Sequence, residues 1–327
     1  MQQKYLAKLN IGGMELVGYS MAGEETVIAA PEFNVVFDIG RAPQEVINFD
    51  NVLLTHGHMD HAAGIAYYFS QRNFLGNAAG TMVLPRPLAA PVKRLMQVWA
   101  EIEGHPSPTN IVPADPGEDY MLRRNLMARA FAVPHGGPCL GFSIVEKRHK
   151  LKPEFASYSG RELADLKRKG TQIETNIEVP LIAYCGDAAL GDYLDLPWVS
   201  RAKVVILECT FFDPDHVVRA RAGRHMHAID MPEAMRRLKT EHVVVSHISR
   251  RTSMGAARKV LKGLLKKDDM ERLTFLMDRR HLQSHPHAKP QEQAWKTQAP
   301  ESPERKPLAS KNPAAPLLRE AKRQEAP

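Results

Sequence analysis

A layered α/β or α+β fold is what this sequence predicts, on three observations. Short apolar runs rich in β-branched residues recur over the first 280 positions, stretches of helical length separate several of them, and both patterns stop near residue 281. The chain has 327 residues, 43% hydrophobic and 25% charged, which is ordinary globular composition and enough for one large domain with a substantial core. No apolar run reaches the roughly 18 residues of a membrane-spanning helix. The N-terminal MQQKYLAKLN has neither an apolar h-region nor a small-residue cleavage site, so export is not expected. Cys139, Cys185 and Cys209 are odd in number and lack CxxC spacing, which argues against a disulfide framework or a zinc ribbon and for a reducing cytoplasm. A formal charge of +7 favours a polyanionic partner.

Taken in order, the expected strands are NVVFDI (34–39), NVLLTH (51–56), TMVLP (81–85), ARAFAV (128–133), PLIAYC (180–185), KVVILE (203–208), EHVVVSH (241–247) and LTFLM (273–277). The expected helices are LAAPVKRLMQVWAEIE (88–103), GRELADLKRK (160–169), MPEAMRRLKT (231–240) and GAARKVLKGLLKK (255–267). Asp230 before Met231-Pro232-Glu233 reads as a capping box with proline in the first turn. Leu95, Met96, Trp99 and Ile102 fall at helical spacing and read as core. No repeat of fixed period occurs. Residues 1–280 thus read as one folded domain with a basic insertion at about 146–180. Residues 281–327, rich in Pro, Lys, Gln, Ala and Glu, bury too little apolar surface to offset their ordering entropy and read as a disordered tail.

The chemistry concentrates in Thr55-His56-Gly57-His58-Met59-Asp60-His61, directly after the apolar Val52-Leu53-Leu54. Open sheets place ligand-binding groups at the C-terminal ends of strands. Alternation puts His56 and His58 on one side of an extended turn, and Asp60 and His61 follow on the next bend. Neutral imidazole nitrogen with carboxylate oxygen suits Zn²⁺ or a similar borderline metal. Further candidates also end apolar strands: His135 after Phe131-Ala132-Val133-Pro134, Asp187 after Ile182-Ala183-Tyr184-Cys185-Gly186, and His247 after Val243-Val244-Val245-Ser246.

HxHxDH followed by an isolated His, an Asp after a strand and a final His resembles the metal signature of the metallo-β-lactamase superfamily. Within it the chain looks most like the short, plant-type tRNase Z family, whose members carry segments similar to GEETVIAAPEFNVVFDIGRAP, KLKPEFASYSGRELADLKRKG and LECTFFD. The resemblance implies a four-layer αββα sandwich with metals at one edge. It implies two Zn²⁺ per chain, with Mn²⁺ or Fe²⁺ as alternatives: His56, His58 and His135 on one, Asp60, His61 and His247 on the other, and Asp187 with a hydroxide between them. Asp38, at a strand end, would support the ligand loop from behind the metals. The chain departs from the family pattern at Gly186-Asp187-Ala188, where Gly-Asp-Thr is usual. It departs again at Ile248-Ser249-Arg250-Arg251-Thr252, where Phe-Ser-x-Arg-Tyr is frequent.

The implied reaction is zinc-dependent endonucleolytic removal of the 3′ trailer from precursor tRNA, by in-line attack of the bridging hydroxide with Asp60 orienting it or accepting its proton. Glu208, with His225 or His227, resembles the family's glutamate–histidine acid for the leaving oxygen. The sequence leaves the choice between those two histidines open. Lys150, Lys152, Lys167, Arg168 and Lys169 in the insertion, and Arg250 and Arg251 after the last histidine, are the expected RNA contacts. The resemblance also implies a homodimer, and no membrane partner is expected. The competing readings are a phosphodiesterase of the same fold acting on a small or cyclic nucleotide, and a non-catalytic binding relic, against which all seven filled ligand positions argue.

Overall fold

The computed structural model describes residues 6–281. One sheet runs in the order β1 (Ala7–Ile11), β2 (Met14–Ala22), β3 (Glu25–Ala30), β4 (Val35–Phe37), β5 (Asn51–Leu53), β6 (Thr81–Pro85) and β7 (Asn110–Ala114). The other begins at β8 (Asp119–Arg123) and continues through β9 (Leu126–Ala132), β10 (Leu140–Leu151), β11 (Glu174–Tyr184), β12 (Val204–Glu208) and β13 (His242–Ser246). After β13 the two-residue β14 (Ile248–Ser249) crosses to pair with β2, and β15 (Leu273–Phe275) closes the second sheet beside β13.

The two sheets face one another across Leu16, Ile28, Phe37, Leu53, Phe142, Ile144, Tyr184 and Ile206, with the rings of Phe37 and Tyr184 5.2 Å apart. The outer face of the first sheet is covered by α1 (Met59–Ala62), α2 (Ile65–Phe74) and α3 (Arg86–Glu103). Beyond α4 (Gly160–Arg168), the outer face of the second carries α5 (Pro197–Ser200), α7 (Met231–Arg237), α8 (Met254–Leu264) and α9 (Lys267–Glu271), while α6 (Val217–Gly223) is tied in by the Arg221–Asp230 ion pair. This is the αββα sandwich that the resemblance implies. The parallel strands β4, β5, β12 and β13 are buried on both faces, which explains their unbroken apolar runs.

Several elements depart from the sequence reading. β1, β2 and β3 are absent from the expected strands: β1 and β2 signal by alternation, with Ala7, Leu9 and Ile11 inward and Lys8 and Asn10 outward, while the short β-branched run Thr26-Val27-Ile28 marks the fully buried β3. The insertion is a two-stranded ribbon, the outer halves of β10 and β11, carrying α4 at its end with Ser159 and Glu162 forming a capping box. Asp230 does not cap α7, because Arg221 takes both carboxylate oxygens at 2.6 and 2.7 Å and the His227 N–H adds a third bond. On α3 only Met96 of the expected core group is buried; Leu95, Trp99 and Ile102 are 42%, 37% and 66% exposed. Helical spacing gave the stripe but not its width, since Ala89, Val92 and Met96 already fill the face against the sheet. His281 ends the described chain, its Nδ1 3.0 Å from the Phe275 carbonyl. The tail reading for the residues after it lies outside the described residues.

No described helix is long and apolar enough to cross a membrane.

Candidate metal centre

The histidines and carboxylates singled out in the sequence converge where strands of both sheets end. β4 delivers Asp38, β5 delivers Thr55 to His58, and α1 carries Asp60 and His61. From the facing sheet, β9 ends before His135, β11 before Asp187, β12 at Glu208 and β13 before His247. Two tight contacts join the halves: the Leu140 N–H donates to the Thr55 carbonyl at 3.0 Å, and Gly186, at φ 59°, packs where a Cβ would lie 3.0 Å from Thr55.

Hydrogen bonds fix which nitrogen of each ring faces the centre. Asp38 is fully buried and accepts from the Thr55 N–H (2.7 Å), the Thr55 hydroxyl (2.9 Å), the Tyr184 hydroxyl (2.8 Å) and His61 Nδ1 (2.7 Å). With its proton given to Asp38, the Thr55 hydroxyl accepts from His56 Nδ1 at 2.9 Å. Both His56 and His61 therefore turn Nε2 inward, the nitrogen left to ligate.

Those nitrogens meet others. His56 Nε2 lies 3.0 Å from His58 Nδ1, His135 Nε2 3.2 Å from the same atom, and His61 Nε2 3.3 Å from His247 Nε2. Asp187 Oδ2 stands 3.4 Å from His61 Nε2, 3.4 Å from His247 Nε2 and 3.8 Å from His56 Nε2, while its Oδ1 is buried with no hydrogen-bond partner. Asp60 Oδ2 is 3.4 Å from His247 Nε2 and accepts from the Gly23 N–H at 2.7 Å.

The ligand atoms of His56, His58, His135 and Asp187, and separately those of Asp60, His61 and His247, all lie within 4.8 Å of one another. A third such group joins Asp187, His225 and His247. Buried imidazole nitrogens turned on one another around an orphaned carboxylate oxygen are costly in a protein interior unless a cation lies among them. The set fits a divalent metal, and its nitrogen and oxygen donors suit a borderline one.

Electrostatics sort the rings. Burial, with His61 alongside, pushes His56 down to about 2, so its ring is neutral and ready to ligate. Burial lowers His135 as well. Burial opposes charge on His61 too, but the Asp187 and Asp38 carboxylates prevail and raise it well above the imidazole range. Burial would raise Asp60 and Asp187; the His247 hydrogen bond for Asp60 and the His247 and His61 charges for Asp187 hold both low instead.

Beside this cluster the Glu208 carboxylate accepts from His225 Nδ1 at 2.9 Å, the Ala188 N–H at 2.7 Å, the Thr210 hydroxyl at 2.5 Å and the Met226 N–H at 3.2 Å. His225 Nδ1 is also 3.9 Å from Asp187 Oδ2. Burial would lower His225, but the Glu208 charge and hydrogen bond raise it to about 9. His227 is turned elsewhere: its Nε2 is 2.8 Å from the Asp213 carbonyl and its Nδ1 accepts from the Ile229 N–H at 3.2 Å. Of the two histidines left open by the sequence, His225 is the one that meets Glu208.

The basic residues are scattered. Lys150 stands exposed on β10 and Lys152 and Lys169 flank the turns around α4. Lys167 is ion-paired with Glu174, Arg168 with Asp165 and Arg250 with Glu24, while Arg251 is exposed. Cys139 lies near the cluster, its Sγ 3.7 Å from the Asp187 carbonyl, but burial raises its thiol far above the usual range and leaves it protonated. The sequence reading passed over Thr55, Thr210, Tyr184 and Arg224, whose roles depend on partners far away in the chain.

The profile of the family described as "Beta-lactamase superfamily domain" matches residues 28–248. The chain is 30% identical over 246 residues to tRNase Z TRZ1 of Arabidopsis thaliana, covering 74% of this chain and 88% of the relative. It is 34% identical over 170 residues to a nuclear ribonuclease Z of Triticum aestivum, 52% of this chain and 97% of the relative. The metallo-β-lactamase fold protein YhfI of Bacillus subtilis superposes with a TM-score of 0.54 at 13% identity, over 79% of this chain and 93% of that one, a likeness of fold alone. The chain belongs to the metallo-β-lactamase superfamily and, within it, to the ribonuclease Z enzymes.

Proposed function

We propose that this protein is a zinc-dependent endoribonuclease that cuts the 3′ trailer from precursor tRNA and leaves a 3′-hydroxyl on the tRNA. Kinship to ribonuclease Z enzymes supports the substrate. The observation that carries the chemistry is the Glu208–His225 pair standing against the imidazole–carboxylate cluster, with His225 Nδ1 2.9 Å from Glu208 and 3.9 Å from Asp187.

His56, His58, His135, Asp60, His61, His247 and the shared Asp187 would hold the metal, read here as two Zn²⁺. Bound cations would supply a water ionised near neutral pH and positive charge to offset that of the phosphodiester. Asp60, held low by its histidine neighbours and anchored by the Gly23 N–H, orients the attacking water and accepts from it. Water attacks phosphorus in line, the bond from phosphorus to the ribose 3′-oxygen breaks, and His225 protonates that oxygen. Glu208 keeps the imidazolium charged and aimed. Lys150, Lys152, Lys167, Arg168, Lys169, Arg250 and Arg251 are read as backbone contacts for the RNA, and the active particle as a homodimer. Three unpaired thiols suit a reducing compartment such as the cytoplasm.

The test is cleavage of labelled precursor tRNA by chelator-stripped protein with and without zinc, beside an Asp60→Ala variant and bis-p-nitrophenyl phosphate. Zinc-dependent cutting at the trailer boundary, lost in the variant, is expected. Hydrolysis of the small diester with intact tRNA would move the function to a small-molecule or cyclic-nucleotide phosphodiesterase. Zinc bound without turnover of either substrate would leave a binding relic.

A further inference from the structure

Arg224 adopts a backbone conformation that arginine rarely takes. It ends α6 with the paired bonds of a Schellman turn: the His225 N–H donates to the Ala220 carbonyl at 2.9 Å and the Arg224 N–H to the Arg221 carbonyl at 3.2 Å. At that position, where φ is 53°, glycine is the favoured residue. The cap bonds are made by backbone alone, so the α6 terminus does not need an arginine side chain. Strain of this kind persists where surrounding contacts hold it and is a reason to look for function.

The contacts are with His135. The Arg224 carbonyl lies 3.4 Å from His135 Nδ1, and Arg224 Nη1 donates to the His135 carbonyl at 2.9 Å. The first contact takes the His135 Nδ1 proton and leaves Nε2 to face His58. The second closes a ring between two loops. The Pro134 carbonyl before it accepts from the Ala189 N–H at 3.0 Å, but on its other side His135 has little else to hold it: Gly136 and Gly137 follow, and a Cβ at either would meet nothing within 4 Å. On the other side, His225 is the next residue after Arg224, and its ring lies 5.0 Å from that of His135. One residue thus borders both a metal-binding imidazole and the imidazole read as the acid.

We propose that Arg224 is a positioning residue that clamps the His135 loop to the His225 loop and so sets the distance between the metal and the proton donor. The proposal rests on the roles given above to His135 and His225. Its claim is a positioning one, separate from contact with substrate.

Arg224→Gly and Arg224→Asn test it, because both residues tolerate positive φ and leave the α6 cap intact. The expected result is a melting temperature equal to or above that of the parent. Zinc retention against a competing chelator is expected to weaken about tenfold, as for other lost supports of a ligand. For cleavage of precursor tRNA, kcat should fall about tenfold with KM changed less than about twofold. Arg224→Lys, which keeps a donor, should recover part of both losses. Parental zinc affinity in the Gly and Asn variants would overturn the clamp. So would a loss carried by KM alone, which would make Arg224 a phosphate contact, or a fall in melting temperature that tracks the loss of activity. If the parent protein leaves precursor tRNA intact, the proposed function fails, while zinc retention and melting temperature still decide the clamp.

Discussion

The Thr210 hydroxyl lies 3.0 Å from His247 Nδ1, and its single proton is taken by the Glu208 carboxylate at 2.5 Å or the His247 carbonyl at 2.9 Å. The hydroxyl oxygen can then only accept from the ring, so His247 donates from Nδ1 and turns Nε2 toward Asp60 and Asp187. Thr55 does the same for His56 on the facing sheet, with Asp38 as the anchor. Two hydroxyls, one from each sheet, set the tautomers of two candidate ligands.

Thr210→Val keeps the shape and removes the relay. Zinc affinity measured by chelator competition should fall about tenfold, and Thr210→Ser should keep it within about twofold. A valine variant that binds zinc as the parent does would show that the relay is idle.

Asp38→Asn puts an amide where four donors converge, and its NH₂ must face one of them. The expected loss is about 3 kcal/mol of stability, read by chemical denaturation of metal-free protein. Because no metal is present in that experiment, the loss reports the buried network alone; a loss below about 0.5 kcal/mol would contradict the bonding described.

His225 and His227 separate in a pair of alanine variants. Removing a general acid costs about 10² to 10⁴ in rate, and that loss belongs to His225→Ala with folding intact. His227→Ala leaves the Asp213 carbonyl and the Ile229 N–H without their ring partner, so it should lower the melting temperature while the remaining folded protein turns over near the parental rate. Equal rate losses at equal stability would return the two histidines to the tie left by the sequence.

The pH profile follows from the same pair. His225 acts in its protonated form and is raised to about 9 by Glu208, so cleavage should hold below that value and fall as the pH rises through it. The pair's contribution to stability has the same sign: it is complete below the ordinary imidazole value of 6.5 and lost as the pH climbs through about 9. In Glu208→Gln the alkaline limb should move down toward 6.5, as a rate–pH profile on precursor tRNA would record. An unmoved limb would mean that another group is the acid.

Much of this site could be read from the chain because its chemistry is local. His56, His58, Asp60 and His61 fall within six residues, and His135, Asp187 and His247 each end an apolar run, so the strand pattern alone places them on one edge. What the sequence could not carry were contacts between distant positions. Thr210 gains meaning from His247, Arg224 from His135 and Tyr184 from Asp38, pairs separated by 37, 89 and 146 residues. The choice of His225 over His227 failed for a related reason. Both flank Met226, and only the turn from α6 into the next segment decides which ring looks inward. The outer face of α3 was misread because periodicity gives a direction without saying how much of that direction the sheet covers.

His247 is followed at once by the step of β14 across to β2, where Ile248 pairs with Met21, while the His247 N–H donates to the Ser20 hydroxyl at 3.0 Å. A single link of chain thus carries the end of one sheet onto the edge of the other, beside the place where ligands from both sheets meet. A cation held there would act as a rivet between two slabs that otherwise meet mainly through side chains, with few backbone bonds such as that from Leu140 to Thr55. Amide exchange in the β5 loop of one sheet and the β13 loop of the other should slow together on loading, so that the sandwich opens as one body when filled and as two leaves when stripped.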